Sequence, residues 1–242
     1  MSRVPFLDRL QPDVFPPVQS ALEYPDGLLA AGGDLSPERL LAAYRRGIFP
    51  WYSGDQPILW WSPSSRTVYD TANMHVPRRL SRWLRHSDWS IRADSAFADV
   101  MRACAEPRRH EGGTWITQEM LDAYVRLHAM GHAHSVEAWD GDCLVGGIYG
   151  VSMGRMFFGE SMFSRETNGS KVALLALCRL LANASFPLLD AQVASDHLFT
   201  LGAREMPRAA FCREVAALVR KNDGPTGSWR GRPGALAVVD LA

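Results

Sequence analysis

The chain has 242 residues, 47% of them apolar and 21% charged, which is enough to bury a sizeable core under an ordinary polar surface. Twenty-six basic residues balance twenty-six acidic ones, so no global field attracts nucleic acid. No apolar run reaches the roughly 18 residues that span a bilayer, MSRVPFLDRLQPD lacks a signal-peptide core, and Cys104, Cys143, Cys178 and Cys212 show neither zinc nor disulfide spacing; a reducing, cytoplasmic setting without metal is expected.

Residues 1–62, rich in proline, glycine and tryptophan, read as a small N-terminal domain, and 63–242 as a second domain. In the first, Ser36 is placed to cap a helix with Pro37 in its opening turn, running through RLLAAYRR to Gly47. ILWW at 58–61 predicts a short buried strand, and SPSSR a turn after it.

In the second domain the spacing predicts a helix over 78–86, with Leu80, Trp83 and Leu84 on one side and Arg78, Arg82 and Arg85 on another. Asp94 or Ser95 is expected to cap AFADVMRACA, and Thr117 to cap QEMLDAYVRLHAM, which Gly131 closes. HAHSVEAWD, CLVGGIYGVS and RMFFGESMF read as strands joined by the hairpin residues DGD and MG. KVALLALCRLLA follows as a helix capped near Ser170, then FPLLDAQV as a strand, and Pro207 opens a last helix. The tail from Asn222 is expected to be loosely held. Three antiparallel strands, a helix and a strand is the core order of GNAT-type acyltransferases, so the expected class is α+β with a mixed, mostly antiparallel sheet. Order alone does not give function.

Several segments can carry chemistry. Glu160 in FFGESMFSR is a carboxylate within an apolar run, either a core charge that reaches a cation or a group that handles a ligand's amine. Strand alternation places Asp190 and Gln192 of LLDAQ on one face, where the carboxylate could polarise the amide. Trp51, Tyr52, Trp60 and Trp61 form either a small aromatic core or a stacking platform for a base, and Trp115 in GGTWIT either staples a helix start or does the same. His132 and His134 have metal-compatible spacing but no third ligand nearby. NGSK at 168–171 opens a helix whose N–H groups could receive a phosphate, without a longer glycine loop. Arg78, Arg79, Arg82 and Arg85 lie in a run free of acids, which suits a solvated face or a phosphate backbone.

GLLAAGGDLSP, RGIFPW, ILWWSP, GTWIT, AYVRLHAMGHAHSVE, LVGGIYGVS, FFGESMFSR, NGSK, LLDAQ and LGA-x-x-x-PR stand in an order that resembles the bacterial leucyl/phenylalanyl-tRNA–protein transferases, over about residues 24–211. The resemblance implies transfer of leucine or phenylalanine, less readily methionine, from aminoacyl-tRNA to proteins with N-terminal arginine or lysine, feeding the N-degron pathway. It implies a small N-terminal domain, a GNAT-like second domain, no metal and no cofactor. It sets Trp51 and Trp115 against the terminal adenosine, and Ile148, Phe157, Gly159, Ser161, Leu174, Leu177 and Leu189 around the donor amino acid. It puts Glu160, Asp190 and Gln192 at the reaction, with the arginine helix under the acceptor stem. Ser195, Ile148 and Ser65 depart from the family's usual asparagine, methionine and proline. A CoA-dependent N-acetyltransferase and a non-catalytic RNA-binding module are the alternatives. The first lacks a pyrophosphate loop, and the second has no use for Asp-x-Gln beside an apolar pocket.

Overall fold

The computed structural model describes residues 4–106, 116–221, 227–232 and 237–242. Two sheets organise them. The first contains β1 (Phe6–Leu7), β2 (Leu28–Gly32), β3 (Phe49–Pro50) and β4 (Leu59–Trp61), ordered β1-β2-β4-β3. Between β2 and β3 runs helix α1 (Pro37–Tyr44). Its start is the expected one, because Ser36 Oγ accepts from the Arg39 N–H at 3.4 Å. The chain leaves it at Gly47, whose φ of +71° favours glycine. Trp60 is fully buried and donates from Nε1 to Gly32 O at 2.9 Å, so this part of the aromatic segment is core.

The second sheet is built from β5 (Ser65–Asp70), β6 (Ser90–Ala93), β7 (Ala133–Asp140), β8 (Cys143–Met153), β9 (Met156–Ser164), β10 (Leu188–Gln192) and β11 (Arg204–Pro207). Their order is β11-β5-β10-β9-β8-β7-β6, and every neighbouring pair is antiparallel except β9–β10. The class is therefore α+β with mixed sheets. Helix α2 (Arg78–Leu84) precedes β6; α3 (Phe97–Ala105) and α4 (Gln118–Ala129) lie between β6 and β7. Helix α5 (Gly169–Asn183) crosses from β9 to β10, α6 (Asp196–Phe199) follows β10, and α7 (Arg208–Leu218) follows β11.

Two apolar clusters sandwich this sheet. On one side α5 packs Val172, Leu174, Leu177 and Leu181 against Ile148, Phe157 and Leu189. Each such side chain contributes roughly 1.5–3 kcal/mol when fully buried. The helix sits close because Gly146 of β8 meets Gly169, where a Cβ on Gly146 would lie 2.3 Å from backbone. On the other side α1, α3 and α4 cover the sheet, and Tyr44, Trp60, Tyr124, Tyr149 and Phe158 share one cluster. Residues of the first sheet thus form part of the second sheet's core.

Four expectations need correction. SPSSR is not only a turn: Ser65 begins β5, whose SRTVYD looks solvated until Arg66 and Thr67 are seen buried. Neither Asp94 nor Ser95 caps α3. Glu137 of β7 accepts instead from Ser95 Oγ at 2.7 Å and from the Ser95 and Ala96 N–H groups. Asn168 in left-handed geometry precedes α5, and the Ser170 N–H donates to Ser164 Oγ at 2.7 Å. The tail is partly anchored, since Trp229, Val238 and Leu241 are buried. The Trp229 N–H donates to Asp94 at 2.6 Å, and its ring stacks on His134 at 4.2 Å.

Candidate active site

Two bulges and a fork make the site. Opposite β8, the register of β9 shifts: Gly150 faces Gly159 and Tyr149 faces Ser161, leaving Glu160 as the extra residue. In β10 a second irregularity falls between Asp190 and Gln192, and Gln192 takes φ +62°. The parallel β9–β10 pairing ends at Phe158–Asp190. Bulges bend and twist their strands, and here the two strands diverge beyond them. A cavity of about 780 Å³ opens at the fork. Ile148, Leu174 and Leu189 form its apolar wall, and Gly159, Glu160 and Ser161 line the β9 side. Phe157 and Leu177, expected in that wall, stand behind it in the core.

Glu160 is held by three donors. The Tyr44 hydroxyl lies 2.7 Å from Oε1, the Tyr124 hydroxyl 3.0 Å from Oε2, and Gln192 Nε2 2.9 Å from Oε1. The two hydroxyls also touch each other. Burial pushes the Glu160 carboxyl up to about 8, an effect that hydrogen bonds from Tyr44 and Tyr124 oppose and the Asp190 charge reinforces. Burial therefore favours the protonated form of Glu160. Tyr44 and Tyr124 were not singled out in the sequence, where they look like core residues of α1 and α4.

Asp190 has a different setting. It is fully buried and takes a bidentate pair from Arg66, with Nε at 3.1 Å and Nη2 at 2.5 Å. Arg66 lies between the rings of Phe49 and Phe211 and donates through Nη1 to Gly47 O at 2.8 Å. The expected contact between the Asp190 and Gln192 side chains is absent. The bulge turns the Gln192 N–H to Asp190 Oδ1 at 2.9 Å and sends the carboxamide to Glu160. With Nε2 committed, Gln192 Oε1 accepts from no described residue.

The other candidates lie apart. Trp51 is 43% exposed and packs its ring against Trp61, 5.8 Å between centroids. Trp115 lies outside the described residues. Arg78, Arg79 and Arg82 are exposed on α2 and Arg85 at its C-terminal cap, and among the described residues none pairs with a carboxylate. Asp94, His128 and His134 bring ligand-type atoms within 4.8 Å of one another. Protein oxygens already engage both His134 nitrogens and His128 Nδ1, so this cluster fits a structural latch better than a metal.

A family model described as leucyl/phenylalanyl-tRNA protein transferase matches residues 68–216, and one for that protein's N-terminal domain matches 33–64. The chain belongs to this family. A leucyl/phenylalanyl-tRNA–protein transferase of Aromatoleum aromaticum is 58% identical over 219 residues, covering 90% of this chain and 92% of the relative. The one from Xanthomonas euvesicatoria is 57% identical over 228 residues, 94% and 91% of the two chains. Among solved structures, a functionally unknown conserved protein from Staphylococcus epidermidis aligns with a TM-score of 0.41 at 9% identity, covering 74% of this chain and 68% of that one. L-PGS from Bacillus licheniformis aligns with a TM-score of 0.37 at 10% identity, covering 66% and 52%. In this member of the family, Ile148, Gly159, Glu160, Ser161, Leu174 and Leu189 converge on one cavity, and Ser195 also lines it. No helix among the described residues is long and apolar enough to cross a membrane.

Proposed function

We propose that the enzyme transfers leucine or phenylalanine from aminoacyl-tRNA to the N-terminal arginine or lysine of acceptor proteins in the cytoplasm, marking them for the N-degron pathway. The observation that carries this reading is the buried, tyrosine-held Glu160 beside the apolar wall, because an aminoacyl donor presents a greasy side chain next to an amine. The donor side chain enters between Ile148, Leu174 and Leu189. The acceptor's α-amine approaches Gln192 Oε1 and Glu160. Its nitrogen attacks the ester carbonyl, the C–N bond forms, and the bond to the ribose oxygen breaks. An ammonium gives up two protons on becoming an amide: one restores the ribose hydroxyl and the other passes through ionised Glu160 to solvent. Asp190 and Arg66 fix the β10 backbone that aims Gln192.

Residues 63–242 read as a GNAT-like acyltransferase domain after a small N-terminal domain at 1–62. Antiparallel β7–β8–β9, helix α5 and the forking parallel strand β10 support this. Trp51, together with Trp115, is proposed to stack on the donor's terminal adenine. The test is direct: mix the protein with charged Leu-tRNA and an arginine-led peptide, and weigh the peptide. It should gain one leucine residue.

Two variants probe the assignments. Alanine at Arg78, Arg82 and Arg85 together should flatten the salt dependence of tRNA binding by about two to three units of slope, while a minimal aminoacyl-nucleotide donor still reacts normally. Equal losses on both donors would remove α2 from the tRNA interface. Ile148→Ala deepens the apolar wall, and one or two methylenes of fit are worth about 1–3 kcal/mol, so the Phe-to-Leu product ratio should rise roughly tenfold. Competition between the two charged tRNAs reads the ratio, and an unchanged value would place Ile148 outside the specificity pocket.

A further inference from the structure

The cavity is lined by seven consecutive residues of one segment, Gly159 to Arg165. A pocket that meets a strand on its face is lined by alternate residues; one that sees every residue in turn meets the strand at its edge. That edge is open. Beyond Phe158, β9 has β8 on one side and, among the described residues, no strand on the side that β10 has left. Its hydrogen-bond phase can be read from the ladder. The Arg165 N–H donates to Val145 O at 2.9 Å across the Gly146–Ser164 pair, so Ser161, Phe163 and Arg165 bond toward β8. Met162 and Ser164 therefore aim their N–H and C=O groups at the cavity.

We infer that the open edge of β9 at Met162 and Ser164 binds the first residues of the acceptor polypeptide as an added, extended strand. This rests on the transfer activity proposed above and names how its second substrate is held. An aminoacyl ester has no amide N–H to offer such an edge, and nucleotides have no repeating N–H and C=O groups at strand spacing. Only the acceptor has a peptide backbone. Main-chain pairing also suits the task, because it tolerates any side chain after the N-terminal residue. With the α-amine at Glu160, the next residues run past Met162 and Ser164 at about 3.3 Å each.

The test leaves the enzyme unaltered. Arginine-led peptides, each with one N-methylated amide at residue 2, 3, 4 or 5, are leucylated beside the unmodified peptide. N-methylation removes one donor and adds bulk at the edge. KM should rise about tenfold at alternate positions and change little at those between, with kcat preserved. A flat series, or a loss that does not alternate, overturns the proposal. Failure to leucylate the unmodified peptide would instead sink the activity on which it rests.

Discussion

Replacing Asp190 with alanine is expected to lower the stability of the fold by about 3–5 kcal/mol. Removing one partner of a buried ion pair leaves the other charge without compensation. Here that charge is Arg66, which is fully buried between Phe49 and Phe211 and has Gly47 O as its other partner. Urea unfolding followed by fluorescence measures the loss. Gln192→Ala is the contrast. It gives up one hydrogen bond to Glu160, about 0.5–1.5 kcal/mol, and should keep the fold while turnover falls about a hundredfold. The two residues are two apart in sequence and differ in what they hold. If the Asp190→Ala protein unfolds at the parent's urea concentration, the ion pair does not anchor β10.

Glu160→Gln should cost the most activity, about a hundredfold or more in turnover, and should stabilise the protein in alkali. The sign follows from linkage. The carboxyl ionises at about 8 in the folded chain, above its ordinary value of 4.5, so the folded state holds a proton that the unfolded state has lost. Below about 4.5 both states are protonated and the full stability is present. Between there and about 8 it falls with rising pH, then levels off. Glutamine has no proton to lose, so the variant should overtake the parent at pH 9 while being unable to accept a proton from the amine. Thermal melts across pH 5–9 provide the measurement. A variant that loses stability against the parent as pH rises would mean that Glu160 is ionised at rest. Transfer by the parent should also increase as pH approaches 8 at fixed donor.

Helices and hairpins were legible because local chemistry decides them: Ser36 and Thr117 cap where their spacing says, and the three central strands fall where expected. The cavity's apolar wall was legible in part. Phe157 and Leu177 are as greasy as Ile148 and Leu174, and composition cannot tell a wall from the layer behind it. The wiring was not legible. Regular alternation puts Asp190 and Gln192 together, and a single bulge redirects the amide to Glu160. Nothing local marks Arg66 as buried, since its partners come from Gly47, Asp190 and Phe211. Tyr44 and Tyr124 acquire a role only when tertiary packing sets both hydroxyls on one carboxyl.

The contacts that define the site join residues far apart along the chain: 116 positions from Tyr44 to Glu160, 124 from Arg66 to Asp190, 36 from Tyr124 to Glu160 and 32 from Glu160 to Gln192. Closing such loops loses chain entropy before any contact rewards it, which places these bonds late on the route from the unfolded chain. The refolding protein is expected to acquire its helices and the β7–β8–β9 meander before its proton-handling centre. Interactions absent from the transition state govern how fast a protein comes apart rather than how fast it forms. Substitutions at Arg66 or Glu160 should then raise the unfolding rate far more than they lower the refolding rate, which stopped-flow measurement of both rates checks.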